Sequence, residues 1–192
     1  MTSGAGSPPT WSIMTTSMSS RSAEQSSRTA LTASPPAGGE AGPARFRQVL
    51  SRFASGVTVI STLDGDRIHG MTASAFMSGS LEPPLIVISI ARSARIHDLI
   101  EAGGRFGVSI LGLEHEKRSR HFGGQPQAGY EPEFAIHDAV PVLPDAVAWI
   151  VADVSAQYPC GDHSLFLGRV RRLAWEDSAP LLHFTGGYRA LS

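Results

Sequence analysis

The sequence predicts a mainly β fold, an antiparallel barrel with accessory helices, and three observations carry that prediction. Six or seven short stretches of strand length, rich in Val, Ile, Leu and Phe, recur between Val57 and Phe184. Asp64-Gly65 stands between two of them as a tight-turn signal. Helical periods are too few and too irregular for regular βαβ alternation, which leaves antiparallel pairing.

Taken in order, residues 1–44 hold 26 Ser, Thr, Gly or Pro and show no period, the composition of a disordered tail. A single domain is expected over 45–192. It opens with Phe46, Val49, Leu50 and Phe53 at i, i+3, i+4 and i+7, one face of a helix that should end near Gly56. Val57–Thr62 and Arg67–Thr72 form a hairpin around Asp64-Gly65. Leu85–Ile90, an apolar run after a Pro pair, reads as a strand buried on both faces. Ser93–Ala102 is a short helix capped by Ser93 and stopped by Gly103-Gly104. Phe106–Leu111 is a strand, Leu113–Phe122 a charged surface helix, and Gly123–Pro132 a polar loop that can border a site. Ala146–Val154 and Ser164–Trp175 are strands that pair across Pro159–His163, and Leu181–Phe184 is a last short strand before Gly186-Gly187-Tyr188. No repeat of twenty to fifty residues is present.

Composition narrows the function. Sixteen Lys and Arg against 17 Asp and Glu leave a net charge of −1, so no global basic field points to nucleic acid. Cys160 is the only cysteine, which excludes an intramolecular disulfide and Cys-rich metal sites and fits a reducing compartment. No run approaches the eighteen or so apolar residues of a membrane span, and the expectation is a cytoplasmic protein without a membrane partner.

Several chemical signatures fail on spacing. Gly103-Gly104-Arg105-Phe106-Gly107 lacks the dinucleotide fingerprint and precedes a strand instead of following one, and no phosphate-binding Walker sequence occurs. His115 and His121 are six residues apart where one helical face needs four, so no metal site is expected. Ser109 lies in a stretch one residue too long for a hydrolase nucleophile elbow and reads as a strand residue. Cys160-Gly161-Asp162-His163 is different: an Asp and a His sit at a turn between strands, free either to face a cleft or to cap the backbone and meet solvent. Cys160 itself has no basic neighbour in the local sequence and reads as an ordinary thiol.

The stretch Gly70–Arg95 organises the chain. Thr72, Ala73 and Ser74 are small, and Thr72 and Ser74 bear hydroxyls, letting a flat ligand approach the backbone and bond at its edge, and Ser93 between Arg92 and Arg95 at a helix start suits an anion. The implied ligand is flat at one end and anionic at the other.

Together these segments resemble the flavin reductase-like family, the small FMN-binding split-barrel reductases of two-component monooxygenases. The resemblance rests on Phe46-Arg47 through Phe53-Ala54-Ser55-Gly56-Val57-Thr58-Val59, Gly70-Met71-Thr72-Ala73-Ser74-Ala75-Phe76, Ser80-Leu81-Glu82-Pro83-Pro84-Leu85, Gly104-Arg105-Phe106-Gly107-Val108, Gly161-Asp162-His163 and Pro180-Leu181-Leu182-His183-Phe184, in family order. It implies a six-stranded antiparallel Greek-key barrel in each subunit of a homodimer, with flavin at the interface. It further implies an NAD(P)H:flavin oxidoreductase that uses NADH or NADPH to reduce FMN, or FAD, for a partner monooxygenase. The alternative is a flavin-binding split barrel that acts as carrier or sensor, or that oxidises its own small-molecule substrate.

By the same resemblance, Thr72, Ala73, Ser74 and Ala75 would lie along the flavin ring and ribityl chain. Ser89, Ile90, Ala91, Arg92, Ser93 and Arg95 would follow the ribityl and phosphate, and Phe122-Gly123 would add a contact. His163 would stand near the flavin and the nicotinamide as the catalytic residue, with Tyr188 bordering the nicotinamide. Relatives often carry Ser where this chain has Ala75 and Asn where it has Ser109; the missing Ser at Ala75 removes a hydrogen bond worth about 0.5–1.5 kcal/mol.

Overall fold

The computed structural model describes residues 38–191, and its elements belong to the compact unit Ala41–Ser192. The expected tail therefore lies, for residues 1–37, outside the described residues. Helix α1 spans Pro43–Leu50, with Pro43 at the first helical position, where its missing N–H is no loss. It ends earlier than the periodicity suggests. Ser51 Oγ donates to the Gln48 carbonyl at 2.8 Å, and Ser55–Gly56 is drawn into a strand, β1. The stripe Phe46, Val49, Leu50 and Phe53 is not buried in the chain's own core; Phe46 is 56% exposed and Phe53 81%.

Strands β2 (Thr58–Asp64) and β3 (Arg67–Ala73) form the expected hairpin, and Gly65 takes φ 60° in its turn. Strand β4 (Phe76–Ser80) was not foreseen; it pairs with β5 (Leu85–Ala91) across a bend at Leu81–Pro84. On β5 only Ile86, Ile88 and Ile90 are buried, so this strand covers the core with one face, not two. Its other face carries Leu85, Val87, Ser89 and Ala91.

Helix α2 (Arg95–Gly103) buries Ile96, His97 and Ile100 and stops at Gly104, which takes φ 66°. Ser93 does not cap it. The N-cap is Ala94, which makes no side-chain bond, because Ser93 lies in the turn that closes with Ala94 N–H donating to Ala91. Strand β6 (Arg105–Ile110) follows, and a turn of 3₁₀ helix at Leu113–His115 leads into α3 (Glu116–Phe122). A small hairpin, β7 (Ala135–His137) and β8 (Val140–Val142), was also not foreseen. The long strands β9 (Ala148–Cys160) and β10 (His163–Trp175) pair around Gly161-Asp162, a tighter turn than expected. Strands β11 (Leu182–Phe184) and β12 (Gly187–Arg189) close the chain, and β11 also pairs with β1.

The main sheet runs β3-β2-β6-β9-β10-β5-β4, antiparallel at every step. Six antiparallel steps make the two end strands run the same way. Laid flat, those ends would be roughly 29 Å apart at about 4.8 Å per strand. Yet β3 and β4 are joined by Ser74 and Ala75 alone, a reach of at most about 11 Å from Ala73 to Phe76. The sheet must therefore coil until its ends meet. Strands β3 and β4 act as two halves of one bent strand, which gives six strands in the round, and the barrel stays split because no ladder joins the halves among the described residues.

Inside the barrel Ile60, Ile86, Ile88, Ile90, Phe106, Val108, Ala152 and Phe166 pack together, with Ile96 and Ile100 of α2 completing the cluster. Burying each such side chain contributes about 1.5–3 kcal/mol. Gly168 is required there: a Cβ at that position would stand 2.6 Å from the Phe106 ring. A second cluster, Val57, Val59, Leu111, Leu143, Ala146 and Leu181, packs against Phe122, Phe134 and Tyr188 and so supports the outer wall beside the seam.

Candidate active site

Two clefts meet at the bend between β3 and β4. The first, of about 170 Å³, is lined by Val57, Thr72, Ala73, Ser74, Ser119, His183 and Tyr188. The second, of about 350 Å³, is lined by Phe53–Gly56, Thr58, Ser74, Phe76 and Ile110. Ser74 belongs to both. Its position follows from the topology: the strand must turn here to leave β2 and join β5, and Ser74, between the two ladders, is left exposed.

The hydroxyls at the bend differ in what they can offer. Thr58 Oγ1 donates to the Ala73 carbonyl at 2.7 Å, and Thr72 Oγ1 donates to the Ser119 carbonyl at 2.7 Å. Among the described residues the Ser74 side chain makes no hydrogen bond. A free hydroxyl beside the methyl of Ala73 is a wall that a flat heterocycle can lie against and bond to. The residues present thus fit a flavin ring.

Tyr188 forms the opposite wall. Its Oη is 2.8 Å from Ser119 Oγ, its ring meets His183 edge-on at 5.8 Å between centroids, and the Arg120 guanidinium stands 5.0 Å from the ring centroid. The Phe122 ring lies over Gly70, where a Cβ would come within 2.8 Å of it, and meets Phe134 edge-on. Gly123 N–H donates to the Ser119 carbonyl at 2.9 Å.

A second group of expected residues lies along the far side of the seam. The Ser89 N–H donates to the Ala75 carbonyl at 3.1 Å, tying β5 to the bend. Ladder partners Leu165↔Ser89 and His163↔Ala91 put His163 on the outer face beside Ser89 and Ala91. Asp162 Oδ1 lies 2.7 Å from His163 Nδ1, and that hydrogen bond holds the Asp162 carboxyl below the usual carboxylate range. Arg92 closes the turn, its N–H donating to the Asp162 carbonyl at 3.0 Å and its guanidinium to the Gly161 carbonyl at 2.7 Å. Ser93 keeps an unbonded side chain. Arg95 is engaged elsewhere, in an ion pair with Asp64. The Ile90 side chain is buried in the core, which leaves only its backbone near the seam.

Val57, Ser119 and His183 line the first cleft and were not foreseen. The signal for His183 was present in Pro180–Phe184; a serine within the charged run Glu116–His121 gave none. Ser109 is the buried strand residue its context implied, with Oγ accepting the Leu143 N–H at 2.9 Å. One array imitates a hydrolase triad, with His97 and Ser164 buried and Asp98 exposed: His97 Nδ1 is 3.1 Å from Asp98 Oδ1 and Nε2 is 2.9 Å from Ser164 Oγ. Ser164 is only 3% exposed and lines neither cleft, so the array ties α2 to β10.

Known proteins agree with this geometry. The sequence matches the flavin reductase like domain over residues 50–192. It is 42% identical over 158 residues to an NADH-dependent flavin reductase of Rhodococcus sp, taking in 79% of this chain and 88% of that protein. It is 40% identical over 147 residues to the reductase component of 4-hydroxyphenylacetate 3-monooxygenase of Thermus thermophilus, covering 76% and 95%. The solved flavin reductase PheA2 in its native state superposes with a TM-score of 0.77 at 37% identity, over 79% of this chain and 99% of that one. The split barrel, the small-residue bend and these matches converge, and the chain belongs to the flavin reductase-like family.

Proposed function

We propose that this protein is an NADH-dependent flavin reductase that supplies reduced FMN, or FAD, to a partner monooxygenase. The observation that carries the proposal is the bend Thr72–Ala75, where an unbonded Ser74 hydroxyl beside Ala73 faces a cleft whose other wall is Tyr188 and His183. Relatives named as NADH-dependent flavin reductases and as a monooxygenase reductase component support the donor and the partner class. An NADH donor and a lone cysteine support a cytoplasmic site of action.

Bound flavin supplies a ring that accepts a hydride from the nicotinamide, so no side-chain nucleophile is required. The chain's part is to hold two flat rings in register. Ala73 and Ser74 give the flavin a close, flat wall, and Ser74 Oγ bonds its edge. Ser93 and the α2 N-terminus face the phosphate, with Arg92 near it. Tyr188 and His183 bound the side from which the nicotinamide enters. His163, oriented by Asp162, stabilises charge near the reacting rings as the catalytic side chain.

The working form is a homodimer. The α1 stripe and Phe53 expose four large apolar side chains on one face, and Phe53 also lines the second cleft, so a second copy seated there would complete that cleft.

Steady-state NADH oxidation with and without added FMN tests the reading. Oxidation that rises with added flavin supports a reductase with exchangeable flavin. No oxidation of NADH or NADPH with FMN, FAD or riboflavin contradicts it and leaves the carrier reading.

A further inference from the structure

Three of the foreseen site residues, Thr72, Gly123 and Tyr188, converge on Ser119, and no step of the proposed reaction uses it. It is 0% exposed, in the middle of α3. Its hydroxyl is 2.8 Å from Tyr188 Oη. Its carbonyl accepts two bonds, from Thr72 Oγ1 at 2.7 Å and from the Gly123 N–H at 2.9 Å. A carbonyl oxygen has two lone pairs, so this one is saturated.

We propose that Ser119 is a positioning residue for the nicotinamide side of the cleft, acting through Tyr188, and that it fixes Thr72 as a group that only accepts hydrogen bonds. This rests on the flavin reductase reading of the cleft.

Tyr188 sits on β12, a three-residue strand paired only with the three-residue β11, so the backbone alone holds the ring loosely. Three contacts from outside that hairpin's own ladder constrain the ring: Ser119 at the phenol oxygen, Arg120 over the face, and the Val57–Leu181 cluster at its base. Of these only Ser119 is directional and buried, and a bond at the far end of a side chain fixes its plane best.

A hydroxyl carries one proton, and that of Thr72 is given to the Ser119 carbonyl. Thr72 Oγ1 therefore offers the cleft lone pairs only, and the ligand edge opposite it must present an N–H or O–H. Ser74, unbonded, can either give or take. The two adjacent hydroxyls thus read different edges of a ligand.

The test compares Ser119→Ala, Tyr188→Phe and the double variant by steady-state kinetics and FMN titration. Ser119→Ala removes the hydroxyl and keeps the carbonyl bonds to Thr72 and Gly123. Each single variant should raise KM for NADH about three- to tenfold while changing kcat and the FMN Kd less than twofold, and the double variant should be no worse than the poorer single, because both delete one bond. Unchanged KM in the singles, or a double effect equal to their product, overturns the proposal. If Ser119→Ala does not fold, Tyr188→Phe alone decides by the same KM criterion. Ser74→Phe separates the two levels of inference by filling the cleft from the other wall. Loss of FMN binding in Ser74→Phe with wild-type behaviour in the other variants overturns the role of Ser119 alone, whereas an unchanged FMN Kd in Ser74→Phe overturns the cleft as the flavin site.

Discussion

At the scale of single residues, small changes at the bend separate binding from support. Thr72→Val keeps the shape of the side chain and deletes its bond to the Ser119 carbonyl, which should cost about 1 kcal/mol in a thermal melt. Gly70→Ala drives a methyl toward the Phe122 ring, 2.8 Å away, and should cost about 1–3 kcal/mol as that ring shifts off its contact with Phe134. Circular dichroism melts read both. Thr72, Ala73 and Ser74, which line the first cleft, stood out in the sequence as small or hydroxyl-bearing residues at a strand end, a pattern that turns share. Ser119 did not, because a serine among Glu116, Lys117, Arg118 and Arg120 has the pattern of a solvated helix. Its burial comes from β3 and β12 closing over it, contacts remote in sequence that no local pattern encodes.

At the scale of elements, α3 carries much of the site, and its seat is ionic. Arg118 donates to both oxygens of Asp145, at 2.5 and 3.1 Å, and to Tyr130 Oη at 3.1 Å, while His115 Nε2 stands 3.5 Å from Asp145. The Arg118 hydrogen bond holds the Asp145 carboxyl below its usual range against the opposing effect of burial. A carboxylate with a lowered native pKa adds stability that is complete above its unfolded pKa, near 4, and is lost as pH falls through the lower native value. Asp145 is half exposed, so solvent screening reduces the effect. Asp145→Asn should lower stability by about 1 kcal/mol at pH 7, and the gap from wild type should close below about pH 4 in urea melts. Elements were read unevenly from sequence. The hairpin β2–β3 and the strands β6, β9 and β10 announced themselves through turns and apolar runs. Strand β4 did not, since Phe76–Ser80 is mostly small and polar, and its pairing with β5 supplies what its composition lacks. The apolar run Leu85–Ile90 looked buried on both sides because Leu and Val on the outer face are only half covered within one chain.

At the scale of the whole molecule, the split of the barrel and its site have one cause. A sheet that coils until its two ends share a strand must bend that strand, and the bend at Ser74-Ala75 is where backbone and side chains are left facing outward. The order of the strands could not be read from alternation or turns, which fix neighbours in a hairpin but not which distant strands meet; the family resemblance implied a six-stranded Greek-key barrel and no more. The proposed dimer belongs to this scale as well. Phe46→Glu with Leu50→Glu should leave the unfolding free energy of the monomer within about 0.5 kcal/mol of wild type, as surface changes do, yet shift sedimentation from dimer to monomer. A wild-type protein that sediments as a monomer at micromolar concentration would remove the second copy from the site.

If the bend at Ser74 holds a flavin in position to take a hydride from NADH, anaerobic mixing of the purified protein with FMN and NADH should bleach the flavin absorbance. Bleaching should be rapid with wild-type protein and at least tenfold slower with Ser74→Phe. Bleaching by Ser74→Phe at the wild-type rate, or none by the wild type, would contradict this role for the bend.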